Sequence, residues 1–332
     1  MTKIMLDAHF DVLNDVLYYR KRGEDKVLEN RFLHQFRECG LNVIVCSLFV
    51  DDIYVPEGAL RNALDQAAAL SCELEESPDF FALCRSASEA RKAVGDGKIA
   101  LFLSLEGADP LGCVLLLLRT FYDLGVRLLG LTWSRRNYAA DGSTFEPRKA
   151  PKTEGGLTKF GRDLLCEAQR LGMVIDVSHL NDAGFFEAAE RIKGPFIASH
   201  SDCRALCSAA RNLTDEQLKI LAESGGVTGM NACAMFSSDV KAERTPDRLL
   251  KHLDHVVKTV GWQHAGIGFD LCQCLKAFVV EQEDDDTGGD LFIDHAEAYK
   301  KFVVPVRSKY PENVADAILG ENFMRVLEKV LG

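Results

Sequence analysis

Six residues with metal-ligand chemistry recur at one kind of place in this chain, the polar end of an apolar run. His9 and Asp11 end the first run, Glu106 the third, His179 the fifth, His200 the sixth and Asp270 the eighth. Imidazole and carboxylate without thiolate form a donor set for zinc or another divalent first-row metal. Six such groups exceed what one tetrahedral zinc with an open position can use. They suit two metals about 3.5–4 Å apart that share a bridging carboxylate and a bridging water.

The elements that would position these residues follow from the hydrophobic pattern. Eight β-rich runs, at 4–9, 41–49, 99–106, 126–133, 173–179, 195–200, 226–233 and 265–270, read as near-continuous hydrophobics. That is the signature of parallel strands covered on both faces. Helical segments alternate with them. Ser77-Pro78, Asp109-Pro110 and Thr245-Pro246 place an N-cap before a proline, Thr214 to Gln217 is a capping box, and Asp182 is a candidate cap for a helix at 183–192. Another helical pattern covers 159–171.

Eight strands alternating with helices predict an α/β fold, a (β/α)8 barrel in one domain over 1–332. Long loops are expected at about 134–156 and 275–292. An open doubly wound sheet would show a glycine-rich turn after the first strand, and here that turn reads His9-Phe-Asp11-Val-Leu. In a barrel the C-terminal strand ends share one rim, so the six polar residues converge there. Side chains at i and i+2 share a face, so His9 and Asp11 can both point at the axis. Gly266 and Gly268, in phase with Asp270, are expected to leave space beneath its carboxylate. Leu129, Leu131 and Trp133 are also in phase, which predicts an inward indole. The other histidines, His34, His252, His255, His264 and His295, read as structural or surface residues.

Composition excludes several classes. The 332 residues carry 39 basic and 50 acidic side chains, a net charge of -11. That balance argues against nucleic acid and against an anionic membrane as partners. The longest apolar stretch, 113–118, is too short to span a bilayer. Eleven cysteines without a disulfide framework point to reduced thiols and a cytoplasmic protein. Neither Cys272/Cys274 nor Cys203/Cys207 has a zinc-knuckle spacing.

Several blocks resemble the membrane (renal) dipeptidase family, peptidase family M19, in its bacterial-type members without an anchor. They are Asp7-Ala-His9-Phe-Asp11, Ser104-Leu-Glu106-Gly, Leu131-Thr-Trp133, Gly172-Met-Val-Ile-Asp176-Val-Ser-His179, Ala198-Ser-His200-Ser, Arg211-Asn212, Gly266-Ile-Gly268-Phe-Asp270 and Leu319-Gly-Glu-Asn322-Phe. They stand in the family's order over nearly the whole chain.

The resemblance implies an amidohydrolase-type barrel and a dipeptidase with two zinc ions per chain, or other divalent first-row metals. His9 and Asp11 match the motif for one metal and His179 and His200 that for the other. Glu106 matches the bridging carboxylate and Asp270 the acid near the bridging water. Arg211, with Asn212 beside it, matches the group that holds the substrate carboxylate. The implied substrate is a small free dipeptide, with a D-residue tolerated at its C-terminal position. A homodimer is left open.

The chain departs from that pattern in three places. Trp133 stands where the best-known members carry a histidine at the developing oxyanion; Arg135 and Arg136 are candidates for the missing donor. Asp270 is followed by Leu-Cys-Gln-Cys, and Glu106 by Gly-Ala-Asp. Two rival readings stay open: an amidase acting on N-acyl amino acids, and a barrel that has lost catalysis and only binds. An acid near the substrate amine, Asp141 or one in 283–286, would favour the dipeptidase.

Overall fold

The structure, a computed structural model, describes residues 2–144, 155–271 and 289–332. Eight parallel strands form a barrel: β1 (Leu6–Phe10), β2 (Val43–Phe49), β4 (Ile99–Glu106), β5 (Val126–Gly130), β6 (Val174–Asp176), β7 (Ile197–Ala198), β8 (Val227–Met230) and β9 (Ala265–Ile267). Each pairs with the next in that order. The ring closes beyond the strand ends. Asp270 N–H donates to the His9 carbonyl at 3.1 Å, and Phe10 bridges Leu271. A short ninth strand, β3 (Phe81–Leu83), pairs with β4 outside the ring and was not expected.

Alternation along the strands divides the apolar residues into two cores. Leu6, Ala8, Val43, Val45, Ala100, Phe102, Leu128, Val174, Ile197 and Val227 fill the interior. The helix Asn322–Leu331 closes its floor with Phe323, Met324 and Leu327. The opposite phase, including Ile44, Cys46, Leu101, Leu103 and Leu129, packs under the outer helices. Polar residues in the inward phase appear only near the upper end, at Ser47, Ser104, Glu106 and Asp176.

One irregularity in β1 decides the site. Leu6 and Ala8 face the interior, so strict alternation would send His9 outward. The register runs Leu6↔Val43, Asp7↔Ile44 and then Phe10↔Cys46, three steps in β1 against two in β2. This bulge turns His9 inward and returns Phe10 to the outer core.

Several local expectations need correction. Most strands stop earlier than their apolar runs, so His179, His200 and Asp270 lie past the strand ends. Leu129 and Leu131 face the outer core, because they are out of phase with the interior Leu128. Trp133 therefore reaches the site from the loop after Gly130. The room left by Gly268 is filled by backbone: a Cβ there would sit 1.8 Å from the Ser199 carbonyl oxygen. Gly266 makes room for the Phe323 ring instead.

Ser77 ends the helix Ala59–Glu76 and starts none. Asn181 caps the helix Asp182–Arg191, freeing Asp182 to pair with Arg204. The capping box at Thr214 and the cap at Thr245 form as expected. The 134–156 loop is described only in part; its described residues include two isolated bridges, Ala140 with Leu157 and Gly142 with Leu180. Most of the loop expected at 275–292, including 283–286, lies outside the described residues, as do Cys272 and Cys274. Nine cysteines are described, all as free thiols. No described helix is long and apolar enough to cross a membrane.

Candidate metal centre

All six expected ligands meet at the upper rim. His9 Nε2 lies 3.6 Å from Asp11 Oδ1, 3.3 Å from Glu106 Oε2 and 3.7 Å from Asp270 Oδ1. On the other side of the same carboxylate, Glu106 Oε1 lies 2.9 Å from His179 Nε2 and 3.7 Å from His200 Nε2. Those two ring nitrogens are 2.8 Å apart. Glu106 thus divides the donors into two groups, one at each oxygen. His9, Glu106, His200 and Asp270 each offer an atom within 4.8 Å of the others.

A second set of side chains, not foreseen from the sequence, orients these donors. Ser47 Oγ donates to Asp11 Oδ1. Asp176 accepts from Ser199 Oγ, which contacts His200 Nδ1 at 2.6 Å. Ser134 Oγ sits 2.8 Å from His179 Nδ1. Asn231 Nδ2 donates to Asp270 Oδ2 at 3.1 Å. Second partners of this kind fix the ring tautomer and the ligand geometry. Inward phase was the available signal for Ser47 and Asp176. Ser134 and Asn231 lie in loops, where alternation says nothing.

Two of the carboxyl and imidazole groups sit on costly backbone. His179 has φ +68° and Asp270 φ +58°, the left-handed region that non-glycine residues seldom adopt. Such conformations cluster at functional sites, where the surroundings hold them.

The electrostatics describe a site short of positive charge. Burial raises Asp270 well above the usual carboxylate range, and the charges of Asp11 and Glu106 add to the rise. Burial and Asp11 raise Glu106 as well. Burial lowers His179 and His200, and the charges of Arg211 and His9 act in the same direction. For His9, burial also opposes the charged form, but Glu106 and Asp11 outweigh it and raise its pKa. His9 Nε2 and Glu106 Oε2 are buried without a hydrogen-bond partner. Orphaned donor atoms beside clustered carboxylates fit divalent metal.

The expected substrate contacts fare differently. Arg211 is buried against the cluster: Nε donates to His179 Nδ1 at 3.1 Å, Nη1 to Ser201 Oγ and Nη2 to the His200 carbonyl. Three of its five N–H groups are thereby engaged. Ligation through His179 Nε2 would place the ring hydrogen on Nδ1, where Ser134 Oγ can accept it, and would end the Arg211 Nε bond to that nitrogen.

Asn212 does not join the cluster. Its amide donates to the carbonyls of Cys207 and Phe236 and braces the loop that carries Arg211. Trp133 lies beside the site, its ring 5.9 Å from that of His179 and 5.4 Å from that of Phe49. Arg135 packs over the indole and is held by Asp109, Asp52 and the Val50 carbonyl. Arg136 is exposed and pairs with Asp141.

Comparison with known proteins gives the chain's relatives. The family model for the membrane dipeptidases, peptidase family M19, matches residues 2–331. A Klebsiella pneumoniae protein encoded in the pqqA 5' region is 31% identical over 280 residues, covering 83% of this chain and 98% of that protein. A solved M19 metallopeptidase, dipeptidase AC, superposes with a TM-score of 0.87 at 28% identity, each chain covered completely. A metallopeptidase from Rhodobacter sphaeroides, solved with a phosphinate mimic of L-Ala-D-Ala, gives 0.87 at 26% identity over 99% of this chain and all of that one.

Glu106, raised to about 7, and the raised His9 favour protonated forms with which a bound cation must compete. Zinc affinity should therefore rise as the pH rises through about 7, where Glu106 loses its proton, with proton release measurable by calorimetry in buffers of different ionisation heat. Affinity independent of pH around that point would contradict a metal-holding role for Glu106 and His9.

Proposed function

The chain belongs to the membrane dipeptidase family, peptidase family M19, and is a dipeptidase of that family, and from this premise we propose that it works with two zinc ions on free dipeptides, including those with a C-terminal D-residue. The observation that carries the number of metals is Glu106, whose two oxygens face separate groups of donors. His9 and Asp11 would hold one ion, His179 and His200 the other, and Glu106 would bridge them. Charge supports the count: two divalent ions bring four positive charges against three from Asp11, Glu106 and Asp270, which leaves room for one more anion. When bound, such a pair lowers the pKa of water and polarises the scissile carbonyl. The D-residue preference rests on family likeness and on the mimic bound by the Rhodobacter enzyme. We place the protein in the cytoplasm on its eleven cysteines without a disulfide framework.

The chain's own residues then divide the work. Asp270 takes the proton of the attacking water and passes it to the leaving amine. Asn231 Nδ2 donates to Asp270 Oδ2 and orients the carboxyl, whose Oδ1 faces His9 Nε2 at 3.7 Å. Arg211 has two N–H groups beyond its protein contacts, one on each Nη, and these suit the two oxygens of a substrate carboxylate. Trp133 forms a rigid wall beside His179 and excludes water there, which strengthens the remaining electrostatics.

An amidase acting on N-acyl amino acids is the second reading. One observation favours it: Asp141, the described candidate partner for a substrate amine, is already held by Arg136 and the Gly155 N–H.

Three experiments test these roles. Asp270→Asn should keep its zinc and lose about 10²–10⁴ in kcat. The parent enzyme should cleave free dipeptides and fail on C-amidated or N-acetylated ones. Near-normal kcat in the variant refutes the proton role; preference for the N-acetylated substrate selects the amidase reading. For the indole, Trp133→Phe should cost less than about tenfold in kcat/KM, or about 1.4 kcal/mol, while Trp133→Ala costs more and broadens the accepted side chains. A loss of about 10³ in the phenylalanine variant would make the indole N–H the oxyanion donor.

A further inference from the structure

Behind the metal centre, on the helix side of β1, lies a buried pair with no part in the chemistry above. His295 Nε2 is 2.8 Å from Asp7 Oδ2, and each side chain is 1% exposed. The ring is enclosed by Phe10, Phe36 and Phe269, with centroids at 4.7, 5.6 and 6.2 Å. His295 begins the helix His295–Ala298, which Asp294 caps, and its backbone N–H reaches Gln35 Oε1 at 3.3 Å. Fully buried charged side chains are rare unless paired.

The other oxygen of Asp7 explains the pairing. Asp7 Oδ1 accepts the His9 N–H at 3.2 Å and the Phe269 N–H at 3.0 Å. The first bond occupies the amide of His9 inside the β-bulge that turns this ligand inward. The second holds the residue just before Asp270, where the chain enters its left-handed conformation. One carboxylate therefore ties together the two ends of the barrel seam at the metal rim.

We propose that His295 is a positioning residue of the metal centre: by holding Asp7, it fixes both the bulge that presents His9 and the backbone that presents Asp270. The proposal rests on the two-metal reading above. Among the described residues the side-chain hydrogen bond of His295 goes to Asp7 and its ring contacts to phenylalanines, so it acts through Asp7 and two backbone amides. The ring donates through Nε2, the nitrogen that faces the carboxylate. Nδ1 is buried without a partner, among aromatic carbons. That leaves the orientation of Asp7 as the service the ring performs.

The test uses the full chain and free zinc competed against a chromogenic chelator. His295→Phe fills the aromatic cage and deletes the donor. It should weaken zinc binding by about 10–100-fold, and it also lowers the metal-free melting temperature because Asp7 loses its buried partner. His295→Gln, which restores a donor, should recover part of the loss. Zinc affinity in His295→Phe within about twofold of the parent overturns the proposal, whatever happens to the melting temperature.

If the phenylalanine variant does not fold, the parent protein still decides. Zinc titration should shift the ring 15N resonances of His295, because coupling through Asp7 is reciprocal; unmoved resonances in zinc-loaded protein overturn the proposal. A parent that binds no zinc would instead strike at the metal centre itself.

Discussion

Charge burial is the constraint on which this structure turns. Asp11, Glu106 and Asp270 meet at one rim of the barrel, almost out of water. Removing one charge from water costs several kcal/mol after relaxation, whereas a whole domain is stable by only about 5–15 kcal/mol. Three carboxylates at such spacing call for cations. The raised Asp270 and Glu106, the orphaned Glu106 Oε2 and the orphaned His9 Nε2 are signs of the same deficit. Under the two-metal proposal the chemistry follows, because divalent ions held at such a site would also activate water.

The barrel delivers these groups at some cost to local regularity. A bulge turns His9 against the alternation of its strand. His179 and Asp270 take left-handed backbone, a strain of about 1–3 kcal/mol each for non-glycine residues. Glycines at 229 and 268 let neighbouring backbones approach where any Cβ would meet the Ser199 carbonyl. Around this irregular rim stands a ring of ordinary hydrogen bonds from Ser47, Ser134, Ser199 and Asn231. The regular part, the two-sided apolar packing beneath, is what makes such a rim affordable.

Much of this was legible in the residues alone, for a physical reason. Parallel strands buried on both faces write themselves as apolar runs, and a polar residue ending such a run has few explanations besides a function. That logic located all eight barrel strands and the six polar side chains that the structure brings together at one rim. It failed where the backbone leaves the ladder. Trp133 was expected to point inward in phase with Leu129 and Leu131; both leucines point outward, and the indole arrives from a loop. Asn212 was expected to share the substrate contact of Arg211, yet it serves as a brace. Ser77-Pro78 carries the signature of a helix start at a helix end. His295 read as a structural residue, and no periodicity connects it to Asp7, 288 positions away. The bulge at His9 left no mark in the apolar pattern, since His9 and Asp11 looked in phase under either register.

The central claim is that two metals share the carboxylate of Glu106. The most direct measurement is elemental analysis of active protein purified without chelator, set beside Glu106→Gln prepared the same way. The account predicts close to two divalent ions per chain in the parent and damage to both sites in the variant. A reproducible value of one or fewer in fully active parent protein would contradict it.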